Sequence, residues 1–189
     1  MEGFDSTAQI MENPLAYNIV EFLELISDDP DREGLKNTPL RVAKLWTEFM
    51  SPEPFELTTF ENYEYDQLII SKGIKFHSFC EHHLIPFFGT CSIGYIPDKK
   101  LVGLSKLART VDKFSRRLNT QEYLTQDIAD FLWTNLKPIG LGVIVKGRHL
   151  CQEMRGIKKK GEMLTSALKG ALLEQNKARE EFMNLCLRR

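Results

Sequence analysis

Residues 141–151 read LGVIVKGRHLC, and this stretch decides how the rest of the chain is interpreted. The run has the composition of a strand. Side chains alternate between the two faces of a strand, so one face should carry Val143, Val145, Gly147, His149 and Cys151. The stretch therefore predicts a strand that ends with His149 and Cys151 pointing into the same space.

A second stretch, Cys80-Glu81-His82-His83, supplies residues that could meet them. Zinc favours Cys sulfur and His nitrogen, and a catalytic zinc usually has three protein ligands and a water. Cys80 and His83 are three residues apart, a spacing at which a turn closes both side chains on one ion. We predict that Cys80, His83 and Cys151 ligate zinc. His82 and His149 then remain as bases beside the metal.

Two other interpretations of these residues stay open. A structural zinc would have four protein ligands, and His82 or His149 could supply the fourth. The cysteines could instead be buried apolar residues, since free Cys is often buried. That second interpretation leaves three neighbouring histidines unexplained.

The composition is that of a globular protein and excludes several classes of partner. The chain has 189 residues, of which 42% are hydrophobic and 27% charged, enough for a substantial core. A net charge of −1 implies no general attraction to nucleic acid or to an anionic membrane. The first residues do not resemble a signal peptide, and no apolar run reaches membrane-spanning length. Four cysteines without a secretory signal favour free or metal-bound thiols, so a cytoplasmic location is predicted.

The order of helical and strand patterns is that of an α+β protein. Helices are predicted to begin at Asn13-Pro14 and at Thr38-Pro39, where a capping residue precedes proline. Strand patterns begin after residue 66 and alternate with further helices. We therefore predict an N-terminal helical region over residues 1–65 and one compact domain over residues 66–189.

A second group of polar residues crowds the first turn of a predicted helix. Ser105, Lys106 and Arg109 place two cations where the helix dipole disfavours them. An anionic ligand such as a phosphate chain would resolve the conflict, because helix N-termini bind anions. Alternatively, Ser105 only caps the helix and the cations point into water. Arg155, four residues after Cys151, either adds a guanidinium near the metal or forms a surface ion pair.

Three further charged residues have ordinary structural interpretations, and Glu122 also has a functional one. Glu122 could accept two N–H bonds from the edge of a guanine, or it could complete a capping box with Asn119. Arg41 and Lys44 lie off the apolar stripe of their helix, which favours a solvated face.

Several motifs, in this order, resemble those of GTP cyclohydrolase I of the zinc-dependent type. They are REGL at 32–35, TPLRVAK at 38–44, CEHHLIPF at 80–87, GLSKLAR at 103–109, QE at 121–122 and HLCQEMRG at 149–156. The resemblance implies the tunnelling fold (T-fold), an antiparallel sheet with helices on one face, for residues 66–189. It also implies a homodecamer of two stacked pentamers with active sites between subunits.

The resemblance further implies a reaction and a role for each matching residue. GTP and water become 7,8-dihydroneopterin triphosphate and formate, a first step toward folate, biopterin or 7-deazaguanine compounds. The matching zinc ligands are Cys80, His83 and Cys151, and the matching catalytic residues are His82, His149 and Ser105. The matching substrate contacts are Gln121 and Glu122 for ribose and guanine, and Ser105, Lys106, Arg109, Arg155, Arg41 and Lys44 for the triphosphate.

The chain departs from the family pattern at few positions. Tyr123 stands where the family commonly has arginine after the Gln-Glu pair. Cys91 and Cys186 match no motif and are predicted to be packing residues.

Three competing functions are less well supported. A zinc-dependent nucleobase deaminase would carry an H-x-E and P-C-x-x-C signature, which is absent. A nitrile reductase of the same fold uses a Cys nucleophile without zinc, which fits the His-rich segments badly. A purine- or pterin-binding ring with a four-ligand structural zinc is the non-enzyme alternative.

Overall fold

The computed structural model describes residues 6–188, with side chains from Ala8 onward. The chain forms two compact units, which are joined between Pro52 and Glu53. None of the helices in the described part is both long and apolar enough to cross a bilayer. In chain order the elements are α1 (Ser6–Glu12), α2 (Pro14–Leu25), α3 (Thr38–Phe49), β1 (Thr59–Glu61), β2 (Ile69–Cys80), β3 (Pro86–Ile96), β4 (Lys100–Val102), α4 (Leu104–Ser115), β5 (Leu118–Asn119), α5 (Gln121–Leu136), β6 (Gly140–His149), α6 (Leu150–Glu153), β7 (Met163–Gly170), α7 (Ala171–Glu174) and α8 (Asn176–Leu187).

The first unit contains α1, α2 and α3. The predicted start of α2 is confirmed, because Oδ1 of Asn13 accepts hydrogen bonds from two amides of the first turn, both at 3.1 Å. Thr38 was expected to cap α3 but is instead its first residue, and Asn37 takes the cap position without a side-chain bond. The Thr38 hydroxyl donates to the carbonyl of Gly34, one turn earlier in the chain, at 3.5 Å.

The second unit is built on a five-stranded sheet in the order β5-β2-β3-β6-β7. The pairs β2–β3, β3–β6 and β6–β7 are antiparallel, and only the short β5 runs parallel to its neighbour β2. A separate two-stranded sheet joins β1 and β4. The predicted α+β architecture with an antiparallel T-fold sheet is confirmed.

The main core lies between one face of this sheet and helices α4 and α5. The odd-numbered positions of β6 face these helices, as the alternation in its sequence predicts. The fully or almost fully buried residues of this core include Leu107, Val111, Leu124, Ile128, Leu132, Leu141, Val143 and Val145. Packing in this core places α5 against the sheet, with the first turn of α5 next to His149 at the end of β6.

The C-terminal helix α8 differs from the expectation of helices on one face only, because it packs on the even-numbered face of β6. Phe182 is fully buried there with Ile144 and Leu172. Two paired glycines make the room: a Cβ on Gly94 or Gly142 would come within 2.7 Å of the Phe182 ring. The fold therefore has a second, smaller core on this side.

Truncating Phe182 to alanine is expected to destabilise the folded protein by about 3–5 kcal/mol, because the ring's neighbours cannot fill the cavity it leaves. Urea unfolding followed by circular dichroism measures the change. Leu185→Ala is the control on the same helix, where the side chain is 51% exposed, and should cost less than about 1 kcal/mol. Equal losses would mean that α8 does not depend on Phe182 for its packing.

Candidate active site

The strand β6 ends at His149, and Leu150–Glu153 form the short helix α6. The prediction that the strand continues through Cys151 is therefore wrong. His149 pairs with Phe87 in β3, and the preceding residue of β3 is Pro86, which has no amide hydrogen to extend the ladder. The chain turns into α6 at this point, and the turn still brings Cys151 to the residues it was expected to meet.

Cys80, His83 and Cys151 form a compact group, in which one ligand atom of each lies within 4.8 Å of the other two. The turn after β2 brings the first two together, since the amides of His83 and Leu84 both donate to the Cys80 carbonyl, at 3.3 and 2.8 Å. Nδ1 of His83 then lies 3.8 Å from Sγ of Cys80. Across residues 6–188 no other group of three such side chains has this spacing.

The donor set of this group fits a zinc ion. Bond lengths of about 2.3 Å to sulfur and about 2.0 Å to nitrogen separate two tetrahedral ligands by about 3.6 Å, close to the observed sulfur–nitrogen distance. Burial raises the pKa of the Cys151 thiol, and the neighbouring Cys80 raises it further. A divalent cation between the two sulfurs would offset both effects by stabilising thiolates.

An ion pair that the sequence did not reveal holds α6 to β6. Nε and Nη2 of Arg148 donate to the two carboxylate oxygens of Glu153, at 2.6 and 2.5 Å. This hydrogen bonding lowers the pKa of Glu153 and raises that of Arg148. Because the pair spans the junction, it fixes the turn that carries Cys151. Arg148 and Glu153 are five residues apart, and this spacing does not bring side chains together within a regular helix or strand, so the pair could not be predicted from the sequence.

A cavity of about 210 Å³ opens beside the metal-ligand group. Its walls combine residues of β2, β3, β5, β6, α6 and the first turn of α5 with two residues of the connecting segments. They are Cys80, His82, Phe87, Asn119, Thr120, Gln121, Glu122, His149 and Cys151. His82 is exposed, and its Nδ1 lies 3.7 Å from Sγ of Cys80. Both predicted catalytic histidines therefore border the same space as the two cysteines.

His149 is held on two sides. Its ring stacks on Phe87 with 4.7 Å between centroids and 4° between planes. Its Nε2 lies 2.8 Å from Oε1 of Gln121. Burial lowers the pKa of His149, and the negative charge of Glu122 opposes that shift only in part. The lowered pKa favours a neutral imidazole, the form that can accept a proton.

The first turn of α5 separates two residues that are neighbours in sequence. Gln121 is fully buried and Glu122 is exposed at the cavity. The capping box between Asn119 and Glu122 is wrong, because Thr120 caps α5 by accepting from the amide of Tyr123 at 3.3 Å. The Asn119 amide is buried and donates to the carbonyl of Phe114 at 2.8 Å, which leaves Glu122 without a capping role.

The residues predicted to bind phosphate lie outside this cavity. Ser105 and Arg109 line a different cavity of about 370 Å³, where Arg109 pairs with Glu53 at 3.2 Å. Ser105 does not cap α4, whose N-cap is Gly103. Nζ of Lys106 lies over the ring of Phe55, 5.9 Å from its centroid.

The three remaining predicted contacts have different surroundings. Nη1 of Arg155 donates to Nε2 of His83 at 2.5 Å, so this guanidinium does lie at the metal-ligand group. Arg41 and Lys44 belong to α3 in the first unit and are exposed. Lys44 lies 3.7 Å from Glu48, an exposed pair on the same helix.

A metal-ligand group where the T-fold strands β2 and β6 end, with two further histidines outside the group beside it, indicates an enzyme of the tunnelling-fold class. The GTP cyclohydrolase I family model matches residues 15–187. The chain is 53% identical to GTP cyclohydrolase 1 of Aquifex aeolicus, with 87% of this chain and 90% of the relative covered. Identity is 48% to the Sulfurihydrogenibium protein of that name, covering 93% and 95%, and 41% to that of Porphyromonas gingivalis, covering 93% of each.

The chain belongs to the GTP cyclohydrolase I family. This membership confirms the resemblance in the motifs and, with it, the prediction of an enzyme.

Proposed function

We propose that this protein uses zinc to hydrolyse the imidazole ring of GTP, giving formate and 7,8-dihydroneopterin triphosphate, and that residues 66–189 form the catalytic domain. The proposal rests on the group formed by Cys80, His83 and Cys151 beside a cavity lined by further histidines. The relatives are named GTP cyclohydrolase 1, which supports GTP as the substrate.

Zinc held by the two thiolates and the imidazole would activate water for attack on the guanine ring near neutral pH. His82 is placed to donate a proton to the departing ring nitrogen, since imidazole titrates near neutrality. His149 moves protons as the ribose opens and the new ring closes, assisted by Ser105. Glu122 accepts two N–H bonds from guanine and so selects against adenine, which lacks the matching donors.

The triphosphate is proposed to contact Ser105, Lys106, Arg109 and Arg155, with Arg41 and Lys44 as further contacts. A His83 that ligates through Nδ1 keeps its proton on Nε2, where it faces the Arg155 donor. Metal binding should therefore turn Arg155 away from His83 and release it for phosphate.

The proposed assembly is a cytoplasmic homodecamer with active sites between subunits. Ser105 and Arg109 line a different cavity from His82 and His149. This separation within one chain supports a site completed by a second copy. The cytoplasmic location is supported by four unpaired cysteines, because two of them must stay reduced to bind metal.

One incubation tests the reaction. Purified, zinc-loaded protein is mixed with GTP, and formate release is followed together with the fluorescence of the oxidised pterin. Both products should appear in equal amounts. Formate without pterin would mean that ring closure is not catalysed. Neither product, with zinc and GTP bound, would overturn the proposal in favour of a binding protein.

Replacing Lys106 with alanine should raise the KM for GTP by about tenfold or more, since a charged hydrogen bond contributes about 1.5–3 kcal/mol. Binding of guanosine, which lacks phosphates, should hardly change. The matched control is Lys113→Ala on the same helix, where Nζ lies 4.6 Å from the Phe131 ring centroid. Equal losses for GTP and guanosine would remove the phosphate role of Lys106.

A further inference from the structure

Gln121 has no exposed surface, and both ends of its side-chain amide make hydrogen bonds within the protein. Nε2 donates toward the carbonyls of Val145 and Met163, at 3.1 and 3.0 Å, and toward Oγ1 of Thr165 at 3.1 Å. Oε1 lies 2.8 Å from Nε2 of His149. Carbonyl oxygens only accept hydrogen bonds, so the NH₂ group of Gln121 must face them and its oxygen must face His149.

The hydrogen bonds of two threonines independently require the same orientation of the Gln121 side-chain amide. The Thr125 hydroxyl donates to the backbone carbonyl of Gln121 at 2.7 Å, and that uses its only hydrogen. In the 2.6 Å contact between Thr125 and Thr165, the donor must therefore be Thr165. The Thr165 oxygen can then only accept from Gln121, which again directs the amide oxygen toward His149.

The position of Gly147 leaves space for this bond. Gly147 lies two residues before His149 on the same face of β6. A Cβ at Gly147 would collide with Oε1 of Gln121 and come within 3.4 Å of Nε2 of His149. Any other residue at this position would displace Oε1 of Gln121 and so disturb its bond to His149.

We propose that Gln121 is a positioning residue that acts through His149 instead of contacting ribose. An oxygen that only accepts requires His149 to carry its proton on Nε2, so Nδ1 is the basic nitrogen of the ring. Among the side chains of residues 8–188, no hydrogen bond reaches Nδ1 of His149, whose one ring bond is through Nε2, so Nδ1 is available for substrate. With Phe87 stacked on the ring face, the amide fixes both the tautomer and the ring orientation. The catalytic part of this inference rests on the proposed function.

Solid-state ¹⁵N NMR of the zinc-loaded, full-length protein tests the tautomer, and its resolution does not depend on the size of the assembly. The chain has four histidines, and the spectrum of His149→Ala identifies the signal of His149. The wild-type protein should show the Nε2–H form. Gln121→Met, which keeps the volume and removes the acceptor, should lose that preference. Thr165→Val is the control. Thr165 contacts only the NH₂ group of the Gln121 amide, so this change should preserve the His149 tautomer.

Kinetics with GTP then separate positioning from substrate contact. Gln121→Met should lower kcat by about 10- to 100-fold with the KM for GTP within about threefold, as for other residues that orient a working imidazole. A KM that rises as far as kcat falls would overturn the proposal in favour of a direct ribose contact. A wild-type His149 protonated on Nδ1 would overturn it without any variant. An inactive wild-type enzyme with the expected spectrum would contradict only the proposed reaction.

Discussion

Replacing Cys151 with alanine is expected to leave the protein without zinc and without measurable formate release. Only Cys80 and His83 would remain of the three-ligand group, and two ligands hold zinc weakly. The rate with GTP should fall by at least about 10³-fold, because a bound metal supplies several kcal/mol of transition-state stabilisation. Zinc per chain, measured by atomic emission after dialysis, should fall from one to near zero.

Cys186→Ala is the matched control for this change. Cys186 is also an unpaired cysteine, but it is buried and packs on the opposite face of the sheet beside Phe182. Burial raises the pKa of its thiol to about 11, so it stays protonated and does not compete for the metal. This variant should keep one zinc per chain and nearly full activity. If Cys151→Ala kept its zinc, another residue would have to be the third ligand.

The parts of the site that depend on local spacing were predictable from the sequence. Cys80 and His83 share one turn, and the alternation before His149 identifies the buried face of β6. The end of that strand was not predictable, because it depends on which residue of β3 pairs with His149. Pro86 stops the ladder only in the register that places Phe87 opposite His149.

The cap of α5 shows how tertiary contacts decide between neighbouring residues. Asn119 and Thr120 are both good capping residues by type. Asn119 is drawn away because its amide bonds to the carbonyl of Phe114, at the end of the preceding helix. Thr120 therefore takes the cap, and Glu122 is left at the cavity.

The position of α8 has the same kind of cause. Its amphipathic sequence predicts a helix with one buried side, without saying which face of the sheet receives it. The glycine pair at Gly94 and Gly142 provides a place for Phe182, and this pair forms only in the observed register of β3 and β6. Likewise, the bond between Gln121 and His149 joins residues 28 positions apart.

The second large effect is expected for His82→Ala, which should abolish turnover while zinc stays bound. His82 lies outside the three-residue metal group, although its Nδ1 is 3.7 Å from Sγ of Cys80. As a proton donor it should contribute about 10²–10⁴-fold to kcat, with little change in the KM for GTP. The measurement is formate release per zinc-loaded chain, with the zinc content determined on the same sample.

His77→Ala is the control for removing an imidazole, because His77 lies only five residues before His82 in the chain. His77 is exposed on β2 and faces Phe88 at 6.0 Å between ring centroids, away from the cavity residues. It should keep both zinc and activity. Loss of zinc from His82→Ala would make His82 a fourth ligand, and a closed four-ligand ion would favour a structural metal. Retained zinc with lost turnover instead leaves a coordination position for water, and only that result is compatible with hydrolysis at this site.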